Sequence, residues 1–142
     1  MVDERASDAL QRKGAPRILL YSDDKEVRER VRLAVGARIA KGAPKIEWVE
    51  AATHAAVVAF AEEGGFDLLV LDGEAAPAGG MGVCRQLKNE IYNCPPVLVL
   101  TARPQDAWLA SWSLADAVVP QPIDPIELHR AVARLLEGAV AA

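Results

Sequence analysis

The chain has 142 residues, of which 51% are hydrophobic and 25% charged, and its 16 basic and 20 acidic side chains give a formal charge of -4. This is an ordinary soluble globular composition of about one domain's length, outside the low-hydropathy, high-charge regime of disordered chains. It excludes a strong electrostatic pull toward nucleic acid or an anionic membrane, and a domain of this size buries roughly 70% of its unfolded surface, enough for a core without disulfide or metal staples.

Residues 1–15 mix both charge signs, with acids at Asp3, Glu4 and Asp8 and no apolar run, so they read as a mobile tail and not as a secretory signal. The folded domain is expected over residues 16–138, with 139–142 as a C-terminal tail. No segment approaches the ~18 apolar residues of a membrane span, and a cytoplasmic protein is expected. Cys84 and Cys94 stand apart from each other and from His54 and His129, without zinc spacing, and read as small hydrophobes in a reduced protein.

Short apolar runs alternate with segments of helical period. Ile18 to Tyr21 is a predicted strand, and Val27, Val31, Val35 and Ile39 at four-residue spacing predict a helix. Ile46 to Val49 is a second strand. Thr53 can N-cap a helix carrying Val57, Val58 and Phe60 that stops at Gly64-Gly65. The run from Phe66 to Leu71 fits a strand buried on both faces. A small-residue loop, Gly73 to Gly80, leads to a helix with Cys84, Leu87 and Ile91 on its apolar face. Val97 to Leu100 is a fourth strand, Pro104 suits a helix's first turn, and Ala117 to Val119 is a fifth strand. Asp124 as N-cap, Pro125 at the first position and Glu127 completing a capping box start the last helix, whose buried stripe is Leu128, Val132, Leu135 and Leu136.

Five strands alternating with five helices predict a doubly wound α/β fold, a parallel sheet covered on both faces by right-handed crossovers. Ligands of such sheets bind beyond the carboxyl ends of the strands. Those ends carry Ser22-Asp23-Asp24, Asp72, Thr101 and Gln121-Pro122. The acids and Thr101 could form an oxygen-rich cleft suited to magnesium, and an Asp carboxylate is itself a phosphoryl acceptor. A strand-end acid such as Asp24 also serves as a plain helix cap.

The stretches RILLYSDDKEVRE, FDLLVLDGEAAPAGGMGVCRQLK, PPVLVLTARP and ADAVVPQPIDPIEL resemble, in order and spacing, the CheY-like receiver domain of two-component response regulators, over residues 17 to about 137. The resemblance implies a flavodoxin-like sheet of order 2-1-3-4-5, with Asp72 as phosphoacceptor and Thr101 as the hydroxyl contacting the phosphoryl group. It implies Mg2+ held by Asp23, Asp72 and the backbone carbonyl of Glu74, a histidine kinase as partner, and a cis bond before Pro122.

Three departures fall on the chemistry. The first acid of the family's pair is Ser22 here. The lysine before the last-strand proline is Gln121, which donates a hydrogen bond but brings no charge; a charge pair at ~4 Å is worth about 4 kcal/mol at an effective dielectric of 20. The aromatic switch residue on the fifth strand is Val118, which has no ring to rotate. The loop proline is shifted from position 76 to Pro77. Gly79-Gly80-Met81-Gly82 reads as a turn into a helix and lacks the pattern of a phosphate cradle.

Trp108 and Trp112, four apart, share a helix face that is either core or a partner surface; the resemblance implies signalling and dimerisation contacts in that region. Arg28 and Arg32 share another face, solvated or turned to an acidic partner. The altered residues favour an atypical stand-alone receiver acting through protein-protein interaction with weak or no phosphorylation dependence. The retained Asp23, Asp72 and Thr101 support the alternative, a Mg2+-assisted switch phosphorylated on Asp72 by a histidine kinase. An Asp-nucleophile phosphatase or cobalamin carrier lacks its lysine or His loop, so no enzyme is expected. No nucleic-acid module is apparent, and a homodimer is compatible with this reading.

Overall fold

The computed structural model describes residues 14–102 and 108–141. The tail reading of residues 1–13 and the helix start at Pro104 lie outside the described residues.

The strands are β1 (Arg17–Tyr21), β2 (Glu47–Ala51), β3 (Leu68–Asp72), β4 (Val97–Thr101) and β5 (Ala117–Pro120). All neighbouring pairs are parallel, in one sheet of order β2-β1-β3-β4-β5. This is the doubly wound, flavodoxin-like order expected from the sequence. Four helices have ten residues or more: α1 (Lys25–Val35), α2 (His54–Glu63), α3 (Gly80–Glu90) and α5 (Pro125–Ala141). The remaining helix, α4, spans Trp108–Ser113.

The period of two along each strand divides the core. Ile18, Leu20, Leu68, Val70, Leu98 and Leu100 face Val27, Val31 and Val35 of α1 and Leu128, Val132 and Leu136 of α5. Leu19, Tyr21, Leu69, Leu71, Val97 and Val99 face Val57 and Ala61 of α2 and Val83, Cys84 and Leu87 of α3. Every residue of β3 and β4 is buried, and each fully buried Leu or Ile contributes about 2 kcal/mol. Two buried faces explain why these strands read as unbroken apolar runs.

The caps act as the sequence predicts. Asp24 accepts from Glu26 N (2.8 Å), Thr53 from Ala56 N (3.1 Å), and Asp124 from Ile126 N (2.9 Å). Two helix ends differ by several residues. α1 stops at Val35, short of Ile39, because Gly36 takes φ +86° and donates its N–H to Arg32 O. Ile39 keeps its apolar role in the following loop, packed against the core. The expected C-terminal tail at 139–142 is corrected as well, since α5 runs on through Gly138 to Ala141. One glycine in a helix costs about 1 kcal/mol against Ala and does not break it.

His129 ties α5 to the α1 exit: its Nδ1 lies 2.7 Å from Val35 O and its Nε2 2.8 Å from Ile39 O. The basic face of α1 finds its acid within the chain. Arg28 and Arg32 both pair with Glu50 of β2, at 3.0 Å each. Among the described residues no helix is long and apolar enough to cross a membrane.

Candidate functional site

The parallel sheet delivers Tyr21-Ser22, Asp72, Thr101 and Gln121 to its carboxyl edge. Two glycines let the backbone close around Asp72. A Cβ on Gly73 would stand 2.5 Å from Leu100 O, and one on Gly80 would stand 2.7 Å from the Asp72 carbonyl carbon and oxygen. The Gly79–Gly82 stretch is therefore a close approach and helix start: Gly79 is the N-cap of α3 and makes no side-chain cap bond. Both Ala76-Pro77 and Gln121-Pro122 are cis, the second as the resemblance implied.

Asp72 is 2% exposed, and both its carboxylate oxygens are engaged. Oδ2 accepts from the Ser22 hydroxyl at 2.7 Å. Oδ1 accepts from Glu74 N at 2.9 Å and from Gln121 Nε2 at 3.1 Å. The Ser22 proton is directed by its surroundings: Asp24 N donates to Oγ at 3.0 Å, leaving the O–H to point at the carboxylate. Ser22 is fully buried. The donors surrounding Asp72 are thus neutral, and hydrogen bonds to a charged acceptor are worth about 1.5–3 kcal/mol each. The Arg28 guanidinium stands one residue away, donating from Nη1 to Ser22 O at 2.6 Å.

Of the sequence candidates, Asp72, Gln121 and Glu74 meet directly, Glu74 through its N–H. Asp23 is exposed and its Oδ1 accepts from Ala76 N at 3.1 Å, which binds β1's exit to the β3–α3 loop. Thr101 is 1% exposed, and its Oγ1 has no hydrogen-bond partner among the described residues. Sequence reasoning treated Ser22 only as a lost carboxylate, whereas it is a donor to Asp72. It also missed Tyr21, whose buried hydroxyl donates to Ala78 O at 2.6 Å and pins the same loop. A tyrosine ending a fully apolar strand was the available sign, since a buried phenol needs a partner.

Magnesium needs carboxylate oxygens with free lone pairs in an octahedral array. Here a hydroxyl proton lies on Oδ2 and two N–H groups on Oδ1, Asp23 already accepts from Ala76 N, and Ser22 replaces the first acid of the family's pair. Among the described residues no group of three or more His, Cys, Asp or Glu side chains is arranged to hold a metal. As they stand, these hydrogen bonds compete with a cation for the Asp72 oxygens.

Trp108 is 69% and Trp112 49% exposed, so the face they share is surface and not core. The Arg85 guanidinium lies 4.9 Å from the Trp112 ring centroid. Val118 is half-buried and lines a groove of about 410 Å³ between β5 and α5 with Val119, Ile126, Arg130 and Arg134. Burial pushes the Cys84 thiol up to about 12, and pushes Cys94 up too; both cysteines are free. Burial thus disfavours the thiolate, the reactive form, at both positions.

No family model matches the chain. Two response regulatory proteins of Mycobacterium tuberculosis, from strains CDC 1551 and H37Rv, are each 55% identical to it over 124 residues, covering 87% of this chain and 93% of theirs. A CheY-like receiver domain from Methanospirillum hungatei matches with a TM-score of 0.70 at 20% identity, covering 88% of this chain and 96% of that one. A receiver domain of an HD domain-containing protein from Pseudomonas fluorescens matches with a TM-score of 0.75 at 17% identity, covering 90% and 91%. The fold and the mycobacterial relatives agree: the chain belongs to the response regulator family and is a CheY-like receiver of two-component signalling.

Proposed function

We propose that this receiver is an atypical member that signals through protein-protein contact with weak or no dependence on phosphorylation. One observation carries the reading: the Asp72 carboxylate has both oxygens hydrogen-bonded, by Ser22, Gln121 and the Glu74 N–H. A nucleophilic attack by Asp72 would compete with those donors, and Gln121 brings no ammonium to compensate the incoming phosphoryl charge. The exposed Trp108 and Trp112 support a partner surface on α4, since Trp is enriched at binding hot spots. The partner is a protein, either a histidine kinase or a second copy of the chain, and nucleic acid is not its ligand. The reading assigns the protein to the cytoplasm, where two free cysteines stay reduced, and gives it no enzymatic activity.

A second reading is favoured by Thr101, whose idle buried hydroxyl is the group a phosphoryl oxygen would engage. In it, Asp72 accepts a phosphoryl group from a histidine kinase. Intact mass after incubation with acetyl phosphate and Mg2+, beside Asp72→Ala, separates the two. The first reading expects no adduct and unchanged tryptophan fluorescence. A phosphoryl mass gained by the wild type and absent from Asp72→Ala would establish the second.

A further inference from the structure

We infer that the Ser22 hydroxyl and the Gln121 amide take the place of the divalent cation in this receiver, holding Asp72 as a metal-independent structural anion, and that reversing Ser22 alone is enough to create magnesium affinity. The inference deepens the phosphorylation-independent reading and rests on it for its functional meaning. Its physical basis is the pairing itself. Ser22 Oγ is 2.7 Å from Asp72 Oδ2 and its proton is committed there by the Asp24 N–H on its other side. Gln121 Nε2 covers Oδ1 at 3.1 Å. A cation approaching either oxygen would compete with those bonds and gain, besides Asp72, the Glu74 carbonyl and Asp23, an exposed acid already accepting from Ala76 N. Placing a carboxylate at position 22 inverts the balance. It removes the O–H donor and sets a second anion within hydrogen-bond reach of a buried one, an arrangement that like-charge repulsion disfavours until a proton or cation is shared between them.

The test is calorimetric titration of MgCl2 into wild type, Ser22→Asp, Gln121→Lys and the Ser22→Asp/Gln121→Lys double variant, with Tm measured in EDTA and in excess Mg2+. Wild type should show no binding heat and the same Tm in both buffers. Ser22→Asp should bind Mg2+ at least tenfold more tightly, with a Tm depressed in EDTA and recovered by the metal. Gln121→Lys should stay blind to magnesium, because its ammonium neutralises Asp72 without adding a ligand; the double variant should bind more weakly than Ser22→Asp. Wild-type affinity matching that of Ser22→Asp would overturn the inference. If Ser22→Asp does not fold, Ser22→Ala replaces it: that variant frees Oδ2, so a gain in Mg2+ affinity supports the lock and no gain refutes it. The two proposals fail separately. A wild type that gains a phosphoryl group from acetyl phosphate in EDTA refutes phosphorylation independence and leaves the lock standing. A wild type that binds Mg2+ yet gains no adduct refutes the lock and leaves the phosphorylation-independent reading standing.

Discussion

Asp72 and Thr101 end adjacent strands, yet both carboxylate oxygens of the first are hydrogen-bonded while the side-chain hydroxyl of the second has no partner among the described residues. A buried hydroxyl without a partner carries a desolvation cost of about 1–3 kcal/mol, which no described residue offsets. Thr101→Val should therefore leave stability unchanged or raise it by about 1 kcal/mol, read as the midpoint of urea unfolding. A loss of stability would show that the hydroxyl is bonded in the folded protein. Cys84 gives a second residue-scale prediction. An unfolded thiol titrates near its ordinary value of 9.0, while the buried Cys84 holds its proton to about 12. Between those values the unfolded chain binds fewer protons, so stability falls as pH rises, by about 1.4 kcal/mol per pH unit for one such group. Cys94, and Tyr21 by burial, act in the same direction. A Tm profile above pH 9 should fall more steeply for wild type than for Cys84→Ala; parallel profiles would count against a buried neutral thiol.

At the scale of elements, the glycines around Asp72 make a three-way comparison. Gly73 faces Leu100 O, and Gly80 faces the Asp72 backbone, in both cases backbone that cannot rotate away. Gly82, two residues into the same helix from Gly80, has nothing within 4 Å of its Cβ position. Gly73→Ala and Gly80→Ala should each cost about 2 kcal/mol or more through displacement of β3 against β4 or α3. Gly82→Ala should stabilise by about 0.5–1 kcal/mol through helix propensity. Thermal unfolding of the three variants checks both signs, and a tolerated Gly80→Ala would mean that the loop around Asp72 is looser than it stands here.

The elements themselves were largely legible because the two-sided burial of β1, β3 and β4 wrote itself as continuous apolar runs, and because Asp24, Thr53 and Asp124 are real caps. The end of α1 was not, since Ile39 continues the helical spacing past Gly36 while belonging to a loop that packs on the same core. The end of α5 was missed for the opposite reason, a glycine that reads as a stop but sits inside a helix. The site was legible as a set of positions: Asp72, Gln121 and Glu74 do converge. What Ser22 does there was not, because its partner is 50 residues away, and a hydroxyl's choice of acceptor leaves no periodicity in sequence.

For the whole molecule, the question is what its exposed aromatic face is for. A buried Trp cut to Ala costs about 3–5 kcal/mol, and selection for stability alone would explain such residues. Trp108 and Trp112 are open to solvent, and the one stacking partner described is Arg85 over Trp112, worth about 0.5–1 kcal/mol at an exposed position. Trp108→Ala should thus shift the unfolding free energy by less than about 0.5 kcal/mol, and the double Trp108→Ala/Trp112→Ala variant by about 1 kcal/mol at most. Trp48 packs partly buried against the core, so acrylamide should quench wild-type emission efficiently and the double variant's remaining emission poorly. A double variant that loses several kcal/mol would make the face part of the fold. If instead the predicted small loss is found, stability gives these two side chains no reason to be tryptophan, and their role belongs to whatever covers α4.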